Sequence, residues 1–119
     1  MDGPVATVLV VDDDVSLRLL CRVNLELEGF AVREASTVAE ADAAVAEERP
    51  DVVLLDVHLQ KDDSRNLLER LRAAGIPVAI VTGSADLDEY RGLADALLGK
   101  PFELQTLVDT ARRLARVGV

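Results

Sequence analysis

From Asp51 to Asp56 the chain reads DVVLLD, four apolar residues in a row between two carboxylates. A short, unbroken apolar run rich in β-branched residues is how a strand buried on both faces of a parallel sheet reads. Asp56 then falls at the carboxyl end of that strand, where sites form in open α/β sheets. The pattern recurs along the chain. Val5–Val11 is nearly all apolar and stops at Asp12, Asp13 and Asp14; Val78–Val81 stops at Thr82; Ala96–Leu98 precedes Lys100 and Pro101. Phe30–Ala35 supplies one more short strand.

Helical periods lie between these runs. Leu17, Leu20, Cys21 and Leu25 mark a helix over 15–28, with Gly29 as its stop. Thr37 and Glu40 fit a capping box that opens an Ala-rich helix to about Glu48. Residues 64–74 place Leu67, Leu68 and Leu71 on one face, with Gly75 as the stop, and Leu104, Leu107, Val108, Ala111 and Leu114 mark a last helix. The stretch from Gly83 to Leu93 carries at most one or two helical turns. Strands alternating with helices predict a parallel sheet covered on both faces with right-handed crossovers. At 119 residues the expectation is an α/β three-layer, flavodoxin-like (βα)5 fold: one domain with its core at about 5–116, a five-stranded sheet in order 2-1-3-4-5, and no output domain.

Charge narrows the partners. A net charge of −9 and a pI near 4.5 supply no basic field for direct binding to nucleic acid. Arg112, Arg113 and Arg116 form the one basic cluster, and they suit the solvated C-terminal end of a helix. The single cysteine, Cys21, excludes an internal disulfide and falls in an apolar pattern, as a core residue does. With no signal peptide and no apolar run long enough to span a bilayer, the expected location is the cytoplasm.

If the sheet is parallel, Asp12, Asp13, Asp56, Thr82 and Lys100 share one rim. Carboxylates held close repel one another, so such a cluster calls for a cation. Hard oxygen ligands suit Mg2+. With Lys100 and the Thr82 hydroxyl beside it, the rim has the parts for an aspartyl phosphate: Asp56 as nucleophile, the others stabilising phosphoryl oxygens.

In VLVVDDD at Val8–Asp14, PDVVLLDVHL at Pro50–Leu59, PVAIVTG at Pro77–Gly83 and GKPF at Gly99–Phe102, the chain resembles response-regulator receiver domains, the CheY-like modules of two-component signalling. The resemblance runs from about Val8 to Leu114. It implies that Asp56 is the phosphoacceptor and that Asp12 and Asp13 bind Mg2+ together with Asp56 and the backbone carbonyl of His58. It further implies that Thr82 is the switch hydroxyl, that Lys100 binds the phosphoryl group, and that the Lys100–Pro101 bond is cis. The implied donor is a sensor histidine kinase or histidine phosphotransfer protein. The implied output is an altered protein-binding surface around the fourth helix, last strand and last helix, on a monomer or weak dimer that is a switch rather than an enzyme.

Four features depart from the family pattern. Gln60 replaces a usual proline and Ser64 a usual glycine, in a loop reading QKDDS, and Leu97 stands at the usual aromatic switch position. Only 17 residues separate Thr82 from Lys100, so a short, mobile fourth helix or a loop is expected, as in the atypical single-domain receivers found beside some bacterial sensor kinases. Two other readings compete. One is a pseudo-receiver that binds a protein partner constitutively. The other is a haloacid-dehalogenase-like phosphatase with Asp12 as nucleophile and Asp14 as acid/base.

Overall fold

In a computed structural model of the protein, residues 6–57, 61–83 and 87–115 are described. Strands β1 (Thr7–Val11), β2 (Ala31–Ala35), β3 (Val52–Asp56), β4 (Val78–Gly83) and β5 (Ala96–Lys100) alternate with helices α1 (Val15–Leu27), α2 (Val38–Glu47), α3 (Lys61–Ala73), α4 (Leu87–Tyr90) and α5 (Leu104–Ala115). The sheet order is β2-β1-β3-β4-β5 and every pairing is parallel. This is the flavodoxin-like arrangement expected from the alternation.

Side chains along a strand alternate between the two faces of a sheet. Leu9, Val11, Val53, Leu55, Val78 and Ile80 therefore pack with residues of α2 and α3 and with Tyr90 of α4. Val8, Val10, Val52, Leu54, Ala79 and Val81 pack on the other face, with Cys21 and Leu25 of α1 and with Leu107, Val108, Ala111 and Leu114 of α5. Full burial of a Leu or Ile contributes about 1.5–3 kcal/mol. Gly75 closes α3 at φ +79°, a left-handed conformation that disfavours a side chain, and Ile76 N–H returns to the Leu71 carbonyl.

Several boundaries differ from the sequence expectation, and three of the differences have a plain physical reason. α3 begins at Lys61, three residues early, and takes the buried Ser64 into the helix rather than leaving it in a loop. Its first turn is polar, so apolar periodicity gave no sign of it. β4 and β5 run on to Gly83 and Lys100, because Thr82 pairs with Gly99 and Gly83 with Lys100. Backbone pairing there involves glycines, which carry no apolar signal. On α1, Leu20 points outward, at 44 % exposed, while Cys21 and Leu25 are buried.

The fourth helix is the single turn Leu87–Tyr90, in keeping with the short span between Thr82 and Lys100. Arg112 of α5 is not merely solvated: it pairs with Glu28 at the end of α1 at 2.9 Å. Arg116 lies outside the described residues. No helix among the described residues is long and apolar enough to cross a membrane.

Cys21 is a core residue. Burial, with the Asp12 charge adding to it and Lys100 opposing, pushes its thiol up to about 11. At pH 7.5 roughly one thiol in three thousand is then ionised. Iodoacetamide should leave the native protein unmodified over hours and alkylate Cys21 in urea, as read by intact mass.

Candidate functional site

The carboxyl ends of β1, β3, β4 and β5 meet at one rim. Asp12 follows the last residue of β1 and its N–H donates to the Ala35 carbonyl at 3.0 Å. Asp56 is the last residue of β3. Both are buried, at 3 % and 5 % exposed, whereas Asp13 is exposed. The structure brings one carboxylate oxygen of each of Asp12, Asp13 and Asp56 within 4.8 Å of the others. Lys100, at the end of β5, places Nζ 3.7 Å from Asp12 Oδ2 and 3.6 Å from Asp56 Oδ2. Those separations make ion pairs, not short hydrogen bonds. Thr82 near the end of β4 is fully buried, and the Lys100–Pro101 bond is cis, as expected.

Electrostatics mark the cluster as costly by itself. Burial, and then the charges of Asp56 and Asp13, raise the Asp12 carboxyl above its ordinary value; the Asp14 amide and Lys100 work against them. One lysine faces three carboxylates, so a negative charge remains to be neutralised. The donor set is entirely hard oxygen, which fits a hard divalent cation. Oxygens sharing a small octahedral ion lie about 3–4 Å apart, so a cluster within 4.8 Å could close on one by small side-chain rotations.

Asp14 has another task. Its Oδ1 accepts the Ser16 and Leu17 amides at 2.9 and 3.2 Å and caps α1. That employs the carboxylate a phosphatase reading would need as its acid/base. His58 and Gln60 lie outside the described residues, so the expected His58 carbonyl ligand is not placed. Leu97 is half-buried against the α2/α3-side core, where Tyr90 of α4 is also buried. The guanidinium carbon of Arg65 stands 5.6 Å from the Tyr90 ring centroid, and Arg65 Nη1 lies 3.6 Å from Glu89. The buried Tyr90 had no signal in the sequence beyond the weak helical stretch from Gly83 to Leu93. Arg18, absent from the sequence-predicted site, donates through Nη1 to the Asp12 carbonyl at 2.6 Å. Its one signal was a cation one helical turn beyond the acidic run.

The family model of the response regulator receiver domain matches residues 8–112. The chain belongs to that family. It is 32 % identical over 117 residues to the DNA-binding dual master transcriptional regulator RpaA of Synechocystis sp., covering 92 % of this chain and 48 % of RpaA. It is 36 % identical over 115 residues to the response regulator MprA of Mycolicibacterium vanbaalenii, covering 92 % of this chain and 50 % of MprA. The receiver domain thus spans about half the length of these curated relatives. Among solved structures, the receiver domain of NtrX from Brucella abortus superposes with a TM-score of 0.85 at 30 % identity, covering 92 % of this chain and 98 % of that one.

Proposed function

We propose that this receiver domain is a phosphorylation switch whose acceptor is Asp56. The observation that supports it most is the convergence of Asp12, Asp13 and Asp56 oxygens within 4.8 Å, with Lys100 Nζ beside two of them. Asp12, Asp13 and Asp56 would hold Mg2+, with the His58 carbonyl as a further ligand. Bound there, Mg2+ supplies charge neutralisation for the phosphoryl oxygens.

A carboxylate oxygen of Asp56 attacks the phosphorus of a phospho-histidine, presented by a sensor histidine kinase or a histidine phosphotransfer protein. The P–O bond forms as the P–N bond breaks, and the imidazole nitrogen keeps the electron pair. Lys100 holds charge on the transferred group, and the Thr82 hydroxyl donates to it. The new charge on Asp56 draws these two groups inward and biases the surface formed by α4, β5 and α5 towards a second conformation. A protein partner reads that surface.

The exposed face of α1 supports a protein donor. Val15, Leu19, Leu20, Val23 and Leu27 are five of the six large exposed hydrophobic side chains among the described residues. Four of them recur every four residues, a stripe that starts beside the rim and suits packing against another helix.

The test is labelling by acetyl phosphate with and without Mg2+, borohydride trapping and peptide mapping. Label on Asp56 only with Mg2+ is the expected result. Label on Asp12 would refute the assignment of the nucleophile. No label from acetyl phosphate or from phospho-histidine proteins would favour a constitutive binding module. In the same assay the double variant Leu19→Glu with Val23→Glu should lose at least ~10-fold in transfer from a phospho-histidine protein, about what one missing hot-spot contact costs, and keep its acetyl phosphate rate.

A further inference from the structure

β1 ends at Val11, so the carbonyl of Asp12 lies just beyond the strand. The Arg18 guanidinium holds it, with Nη1 2.6 Å from the carbonyl oxygen. The same guanidinium is also held by Glu34, whose Oε1 accepts from Arg18 Nε at 3.0 Å. The other oxygen of that carboxylate, Oε2, accepts separately from Arg22 Nη1 at 2.7 Å. The Arg18 side chain is only 14 % exposed, so water competes weakly for it. On the other side of the same residue, the Asp14 amide donates to Asp12 Oδ1 at 2.9 Å.

We propose that Arg18 is a positioning residue for the acidic site, fixing the peptide unit between Asp12 and Asp13 so that both carboxylates stay turned towards Asp56. The assignment rests on the reading of these carboxylates as a divalent-cation site. The physical need is plain. Three carboxylates crowded within 4.8 Å repel, and the turn carrying two of them relaxes outward unless its backbone is tied. A planar guanidinium does this where a lysine does not. It donates to the carbonyl and to Glu34 at once through a rigid fork, whereas an ammonium on a flexible stem satisfies one partner at a time. Groups behind a metal site that orient its ligands typically alter affinity by about 10–100-fold.

Arg22 supplies the control, since it pairs with Glu34 but its bonds go to Glu34 and Glu26 rather than to Asp12. Mg2+ affinity is measured by calorimetric titration of the wild-type protein and of Arg18→Ala, Arg18→Lys and Arg22→Ala, with stability followed in urea. Arg18→Ala should bind Mg2+ about 10–100-fold more weakly, Arg18→Lys should recover little of it, and Arg22→Ala should bind like wild type. In the metal-free state, 15N relaxation should show added motion at Asp13 and Asp14 in Arg18→Ala and not in Arg22→Ala. Equal affinities in the Arg18 variants and Arg22→Ala overturn the assignment while leaving the cation site standing. Should Arg18→Ala fail to fold, Arg18→Lys against Arg22→Ala decides the question. A wild-type protein that binds no Mg2+ overturns the cation site, and the role of Arg18 with it.

Discussion

Asp56→Asn should take up no phosphate from acetyl phosphate at any Mg2+ concentration, a loss limited only by the detection floor. An amide oxygen carries no full negative charge and is a poor nucleophile, while the side chain keeps nearly the same shape. The same substitution should raise stability in EDTA by about 1 kcal/mol, in the range typical of relieving strain at a functional site. Charge counting decides the sign. Lys100 pairs with both Asp12 and Asp56, at 3.7 and 3.6 Å, against three carboxylates. Removing Asp56's charge leaves two carboxylates with one lysine, and Lys100 keeps Asp12. Urea unfolding with and without Mg2+ checks both halves. Wild type should gain about 2.7 kcal/mol at a hundredfold excess of Mg2+ over its Kd, and Asp56→Asn should gain far less. Persistent labelling of Asp56→Asn would mean that another side chain is the nucleophile.

Lys100→Met should be the second large effect, with opposite consequences for stability. It keeps much of the stem's volume and removes the cation shared by two buried carboxylates, whose side chains are 4 % and 6 % exposed. Breaking a fully buried pair by deleting one partner costs about 3–5 kcal/mol. Lys100 is a third exposed, so solvent screening reduces that to about 2 kcal/mol here. Mg2+ should restore part of the loss, since it neutralises the same oxygens. Phosphorylation by acetyl phosphate should fall by about 10²–10³-fold, the usual effect of removing one group that stabilises developing charge. Lys100→Arg should not restore the rate, because a planar fork does not replace a compact ammonium. A Lys100→Met rate within threefold of wild type would remove Lys100 from the chemistry and leave it a structural counter-ion.

How much of this was legible beforehand depends on what each feature is made of. The buried strands were legible because a strand covered on both faces must be apolar along its length, as in VVLL before Asp56. The polar stops at Asp12, Asp56, Thr82 and Lys100 were legible because the sheet is parallel, so its strand ends share one rim. The single-turn α4 followed from counting residues between Thr82 and Lys100. Features built from polar or backbone contacts between distant segments were not legible. The polar first turn of α3 carries no hydrophobic period. The bonds of Arg18 to the Asp12 carbonyl and to Glu34 join a helix to two strand regions that only the fold brings together. Asp14 reads like its two neighbours in sequence, and only the helix beginning at Val15 makes it a cap.

The class of fold, the strands and the residues that collect at their ends are written locally in the chain, because hydrophobic periodicity and strand polarity are properties of neighbouring residues. Which way α1 turns is instead a property of the packed molecule. Its apolar residues surround much of the helix, and packing against the sheet and α5 buries Cys21 and Leu25 while leaving Leu19, Val23 and Leu27 outside. Which apolar residues a helix hides is set by its neighbours, and those neighbours are far away in the chain.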